Sequence, residues 1–252
     1  MAFCKYCGRK LEEGETCSCQ GQAAPASQPA FQGGQLALTV WANFLHIWKS
    51  PAENGQDYVQ NGGLLTAAML LLFHGICSGL FAVLCIGKIN GLIGLGGSLT
   101  ERMKFSSAGA FFLTVLYSLI LSVLLTVILF LGNKLLRGEG GIQEMLRIAS
   151  MRAAISIPVT LIGCLVFLLN VPAGIVIYYC AGALAGTGFL AAGVEGIAGL
   201  NRDRKIYLLV GGMILFAVVF LLFALWVFPS YIPSNVRELF SWDNLVSSIA
   251  SY

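Results

Sequence analysis

Residues 153–194 contain no aspartate, glutamate, lysine or arginine. That run exceeds the roughly 20 apolar residues that carry a helix across a hydrocarbon core about 30 Å thick, so it has to fold back on itself. Asn170 and Pro172 stand near its middle, where a turn converts the run into a tight hairpin of two membrane helices. Five spans are expected in all, at 64–86, 108–131, 153–169, 171–194 and 206–228. The third is the shortest, and four spans with a re-entrant segment is the alternative count. Composition agrees: 57% of residues are hydrophobic and 11% charged, against about 25% charged in soluble domains. The net charge of +3 is small and scattered, so no nucleic-acid partner is expected. The fold class expected is an all-α integral membrane helix bundle with a small N-terminal zinc ribbon.

The remainder divides by composition. Residues 1–19 are polar and cysteine-rich, and they contain no apolar run of the kind a cleavable signal peptide needs. Residues 20–34, QGQAAPASQPAFQGG, are uncharged and rich in Gln, Ala, Pro and Gly, the make-up of a flexible linker. Residues 35–62 read as interfacial amphipathic helices, 63–230 as the transmembrane domain and 231–252 as an external tail. In QLALTVWANFLHIWKS, Leu38, Trp41, Leu45 and Trp48 recur at helical spacing, and amphipathic tryptophans favour the headgroup boundary. Ser50, Pro51 and Glu53 form a capping-box pattern that starts a second helix. GIQEMLRIASMR, between the second and third spans, reads as a further surface helix, with Ile142, Leu146 and Ile148 among charges.

Lysine and arginine set the orientation. Lys5, Arg9, Lys10, Lys49, Lys134, Arg137, Arg147, Arg152, Arg202, Arg204 and Lys205 fall on the N-terminal side, and Lys88, Arg102, Lys104 and Arg237 on the other. Eleven against four places the N-terminus in the cytoplasm and the C-terminus outside.

Of the eight cysteines, Cys77, Cys85, Cys164 and Cys180 lie in apolar spans and read as small hydrophobes packed between helices. The other four form Cys4-x2-Cys7 and Cys17-x-Cys19. Two close thiolate pairs separated by a short hairpin can close a tetrahedral Cys4 zinc site. Gly8 suits the knuckle turn after the first pair, and Gly14 the hairpin. So short a segment cannot bury a core, so the metal would supply its folding energy. Four protein ligands make the site structural, and a cytoplasmic location argues against disulfides as the alternative.

CKYCGRKLEEGETCSC resembles the zinc ribbons at the N-termini of many bacterial membrane proteins, with C-x-C in place of C-x-x-C at the second knuckle. The Trp-rich helix leading into KSPAENGQDY, the five spans, GEGGIQEMLRIASMRAAISIPV and VEGIAGLNRDRKIYL resemble, over residues 36–230, the Yip family: the Ypt/Rab-interacting membrane proteins and their bacterial relatives. In eukaryotes that family is linked to small GTPases and vesicle traffic, and the resemblance implies no enzymatic activity.

Other candidate groups read more plainly. His74, inside the first span, reads as a histidine bonded to a neighbouring helix. Glu195 reads as an interfacial carboxylate paired with the basic loop around Arg202. GLIGLGGSL at 91–99 lacks the Lys-Ser/Thr of a phosphate loop and reads as a flexible or re-entrant loop. Gly182-x3-Gly186, with Gly188 and Gly193, lets a helix approach closely, either within the chain or across a homodimer. No nucleophile–base pair or acidic metal cluster is visible. The function expected is therefore a non-enzymatic membrane scaffold or adaptor, resident in the bilayer, whose zinc ribbon docks a cytoplasmic protein. A small transporter or channel component is the alternative.

Overall fold

The computed structural model describes residues 2–3, 10–11, 33–94 and 104–232. It divides into two units, 1–39 and 40–252. In the first, β1 (Ala2–Phe3) pairs antiparallel with β2 (Lys10–Leu11), Ala2 opposite Leu11 and Phe3 opposite Lys10. Helix α1 (Gly33–Lys49) runs unbroken across the division. The second unit continues with α2 (Glu53–Asn61), α3 (Leu64–Gly94), α4 (Ser107–Leu135), α5 (Ile142–Leu169), α6 (Val171–Val176), α7 (Gly182–Glu195) and α8 (Arg202–Val227).

Among the described residues five helices are long and apolar enough to cross a membrane: α3, α4, α5, the continuous Val171–Glu195 segment comprising α6 and α7, and α8 extended to Tyr231. The chain is thus a multi-pass helical bundle of the class its hydropathy predicts. Its outer faces are apolar, with Leu165, Leu184 and Trp226 exposed, which water disfavours over so large an area and a bilayer does not. α3, α4, α5 and α8 run longer than the apolar runs alone because the residues flanking those runs are helical too.

α5 is the central element, packing against α3, α4, α2 and the α6–α7 span. α8 is peripheral, lying along α4 and meeting α7 more sparsely. The hairpin expected at Asn170 is present. Asn170 Oδ1 accepts from Ala173 N at 3.0 Å and caps α6, with Pro172 in its first turn. Gly174 lies directly against the Phe167 backbone, where a Cβ would collide. The α6–α7 span is interrupted by a π-helical turn, Ile177–Ala181, of the sort that re-aims side chains inside a helix.

Two local expectations are corrected. GIQEMLRIASMR is not a separate surface helix but the first part of α5, and Met145, Ile148, Ala149 and Met151 are buried core. Nothing between Arg152 and Ala153 breaks a helix, and α2 and α7 cover this stretch, so its apolar side faces protein. Arg152 accordingly lies well inside α5 rather than at the end of a separate surface helix, and removing it from the charge tally leaves ten against four. The Ser50 capping box also does not form. α2 starts at Glu53 without a side-chain cap, and Ser50 contributes its carbonyl, accepting from Asn54 N at 2.9 Å.

The turn from α4 to α5 is a Schellman closure, Gly138 N to Asn133 O at 2.8 Å and Arg137 N to Lys134 O at 3.0 Å. Arg137 fills the left-handed position usually given to glycine, with φ of 61°. The buried Asn133 side chain ties this turn down, donating from Nδ2 to Gly140 O at 2.8 Å. On the opposite face Asn90 clasps Phe105 twice, Nδ2 to the Phe105 carbonyl and the Phe105 amide to Oδ1, both at 2.8 Å. Residues 91–94 of the glycine-rich stretch are helical, the end of α3, and 95–99 lie outside the described residues.

Candidate functional site

Cys4, Cys7, Cys17 and Cys19 lie outside the described residues. The β1–β2 pair flanks the segment that carries Cys4 and Cys7. Among the described residues no three His, Cys, Asp or Glu side chains converge as a metal site. Cys77, Cys85, Cys164 and Cys180 are free thiols. Cys77 is buried as expected of a packed hydrophobe, whereas Cys180 is exposed on the bundle's flank.

Two constellations stand out, and the first is at the N-terminal face. There α2 is held across α5 and α7. Arg147 Nη1 donates to the carbonyls of Val59 and Gln60, both at 2.8 Å. These are among the last carbonyls of α2, which lack helical donors, and a cation at that end also meets the helix dipole favourably. The Tyr58 and Ser150 hydroxyls share a hydrogen bond at 2.9 Å, and burial pushes the Tyr58 phenol up to about 12. Gln60 Nε2 donates to Gly196 O at 3.3 Å, and Gly55 lies against the Met151 side chain. The C-terminal half of α1 joins the same face. Ile47 is fully buried, Asn54 Nδ2 donates to His46 O at 2.7 Å, and Trp48 stacks obliquely on Phe189 at 6.3 Å. The exposed Trp41 and Leu45 point away from the bundle, as expected of a helix resting at a headgroup boundary. Lys205 bonds both the carboxylate of Glu195, at 3.5 Å, and its backbone carbonyl. The partner of Glu195 is therefore in the basic stretch that follows the span, but it is Lys205, in the first turn of α8, not Arg202. A cavity of about 90 Å³ opens beside His46, Asp57 and Tyr58, room for a few waters and well below the roughly 300 Å³ of ordinary ligand pockets.

The second constellation is inside the bundle and centres on Arg152. Its guanidinium lies over the Phe216 ring of α8, 5.4 Å from the centroid. Its stem rests in the notch left by Gly186 of α7, where a Cβ would come within 3.0 Å of Cγ and 3.3 Å of Nε. His74 of α3 and Tyr178 of the π-turn are its polar neighbours. His74 Nδ1 is 3.2 Å from Ser118 Oγ of α4, the interhelical bond expected of it. Tyr178 stacks face to face on Phe81, centroids 4.1 Å apart, and approaches Ser78. The Ser78 hydroxyl is buried and completes no hydrogen bond by geometry. Among the described residues Arg152 has neither an ion pair nor a side-chain hydrogen bond. Gly193 also packs within the chain, against Met151 and Ile148, while Gly188 faces open space.

Sequence reasoning named His74 and Gly186, but it set Arg147 and Arg152 in a surface helix between spans and used them only as orientation charges, with no partner named for either. Arg152 sits at the edge of the charge-free run, and that position alone was the available signal. No protein-family model, curated protein or solved structure matches the chain.

Proposed function

We propose that the chain is a non-enzymatic membrane scaffold whose N-terminal cysteine segment, folded on one structural zinc held by Cys4, Cys7, Cys17 and Cys19, docks a cytoplasmic protein. The observation that carries this reading is the clamp of Arg147 on the Val59 and Gln60 carbonyls. It fixes α2, and through α2 the C-terminal end of α1, to the central span. A charge-assisted clamp of this kind holds a presentation platform still, and an adaptor needs that at a membrane surface. The resemblance to the Yip family implies no enzymatic activity, which fits a scaffold. Thiolates at C-x2-C and C-x-C spacing fit a closed tetrahedral zinc site with no open coordination position, which suits docking rather than hydrolysis.

Comparing the full chain, a chain lacking residues 1–34, and Cys4→Ser tests this. The full chain should carry about one zinc, as a closed Cys4 site does, and Cys4→Ser should lose it. Both altered chains should insert and melt like the full chain yet lose the crosslinked cytoplasmic partner. Retention of the partner by both overturns the docking role. The alternative, a small transporter or channel component, draws on the charged Arg152 within a span. Substrate-dependent flux in reconstituted vesicles would establish it.

A further inference from the structure

Among the described residues Arg152 is the arginine or lysine set deepest in the bundle. What it touches fixes its depth: the Gly186 notch and the Phe216 ring both stand near the middle of the apolar runs of α7 and α8. An arginine stays charged there, because its guanidinium does not give up a proton in proteins. A cation in that medium is costly unless something neutralises it. Among the described residues the spans supply no counter-charge: their acidic residues are Glu144, Glu195 and Asp203, all within a turn of a helix end at the N-terminal face. The face of Phe216 offsets part of the cost, but a ring has no lone pairs to take the guanidinium N–H groups.

The polar groups gathered around the guanidinium bring further O–H donors and no charge. His74 and Ser78 stand one turn apart on α3 and so share a face. His74 and Tyr178 neighbour Arg152, and Ser78 approaches Tyr178. Ser78 is only 3% exposed, yet its hydroxyl completes no hydrogen bond. Ser122 and Ser156 each donate to the carbonyl four residues back in their own helices, the usual resource of a serine in a membrane helix. Ser78 does not, so its proton stands unclaimed, a costly arrangement unless a ligand accepts it. Tyr178 is carried by the π-helical turn Ile177–Ala181, a distortion that recurs at functional sites.

We infer that Arg152, Ser78 and Tyr178 bind one small monoanion of the halide class, with Phe216 and the Gly186 notch fixing the guanidinium. The anion supplies the missing charge and accepts from the guanidinium, the phenol and the unclaimed hydroxyl together. Ion and arginine thus neutralise each other where neither is stable alone. Charge and size set the class. One cation balances one negative charge, and a phosphate or sulfate dianion would leave the site net negative. Arg152, His74 and Tyr178 each keep part of their surface accessible, which suits a guest little larger than water. No standing channel is required, because α8 meets α7 only sparsely and local opening of a peripheral helix lets a single ion exchange.

The test titrates the full chain, in phosphatidylcholine nanodiscs, with radiolabelled chloride while sodium gluconate holds the ionic strength constant. The wild type should bind a single chloride saturably, and Arg152→Met should bind none. Ser78→Ala keeps the charge and removes one donor, so its affinity for chloride should fall about tenfold, the scale of one hydrogen bond to an ion. No saturable chloride binding by the folded wild type, or undiminished binding by Arg152→Met, overturns the site. Unchanged affinity in Ser78→Ala overturns the place of Ser78 in it. Should Arg152→Met fail to fold, melts of the wild type and Ser78→Ala decide. Chloride must raise the wild-type Tm above that in gluconate, and by more than it raises that of Ser78→Ala, whereas equal melts in the two salts overturn the proposal.

Discussion

The indole Nε1 of Trp48 lies 3.5 Å from the carbonyl oxygen of Ala154, the carbonyl that Pro158, four residues on, leaves without its helical N–H donor. A proline inside a membrane helix is tolerated when another group satisfies the freed carbonyl. Here the donor comes from α1, more than a hundred residues away in sequence. The contact ties the interfacial helix to the central span at the point where that span is weakest.

Trp48→Phe keeps the ring and removes the donor. It should destabilise the chain by about 1 kcal/mol, the net worth of such a hydrogen bond, read as a lower Tm in detergent. In a Pro158→Ala background, where the substituted residue supplies the missing N–H, the same change should cost markedly less. Equal losses in the two backgrounds would show that Trp48 acts through ring packing alone.

Arg137 occupies a left-handed backbone conformation at the C-terminal turn of α4, strained for any residue with a Cβ. Arg137→Gly should therefore stabilise the fold, by about 1 kcal/mol, while Arg137→Ala should not. A fall in Tm for Arg137→Gly would mean that the arginine side chain matters more to the α4–α5 turn than its backbone strain.

Arg147→Met removes both donors to the end of α2 and leaves two carbonyls unmet. Charged hydrogen bonds of this kind contribute about 1.5–3 kcal/mol, so amides of α2 should exchange faster by one to two orders of magnitude, while those at the centre of α3 stay protected. The neighbouring Tyr58 gives a pH signature. Its phenol, raised to about 12 by burial, favours the folded state while protonated. That contribution is whole below the ordinary value of 10 and lost as pH climbs towards 12. Tyr58→Phe should blunt the alkaline fall in stability, and an unchanged pH profile would place Tyr58 outside the folded-state titration.

Five spans, the number among the described residues, would put the two ends of the chain on opposite sides of the membrane, and from the lysine and arginine distribution we propose that the N-terminus is inside. A reporter fused ahead of Met1 should read as cytoplasmic and one after Tyr252 as external. Both reporters on the same side would refute the odd number of crossings.

Hydropathy and turn chemistry sufficed for the membrane class, the five crossings and the Asn170 hairpin, because each depends on residues adjacent in the chain. A bilayer penalises every unpaired backbone group, so an apolar run has almost no choice but to be a helix. The unbroken length of α5 was not legible, since its first three turns carry the mixed polarity of a surface helix, and only α2 and α7 packing over them turned that face into core. Ser50 matched a capping pattern that the entry angle of α2 did not use. The roles of Arg147, Arg152 and Trp48 depended on partners in other helices: the end of α2, the notch at Gly186 with the ring of Phe216, and the carbonyl orphaned by Pro158. Periodicity reports which face of a helix is apolar, but which neighbour that face meets is decided when the helices pack.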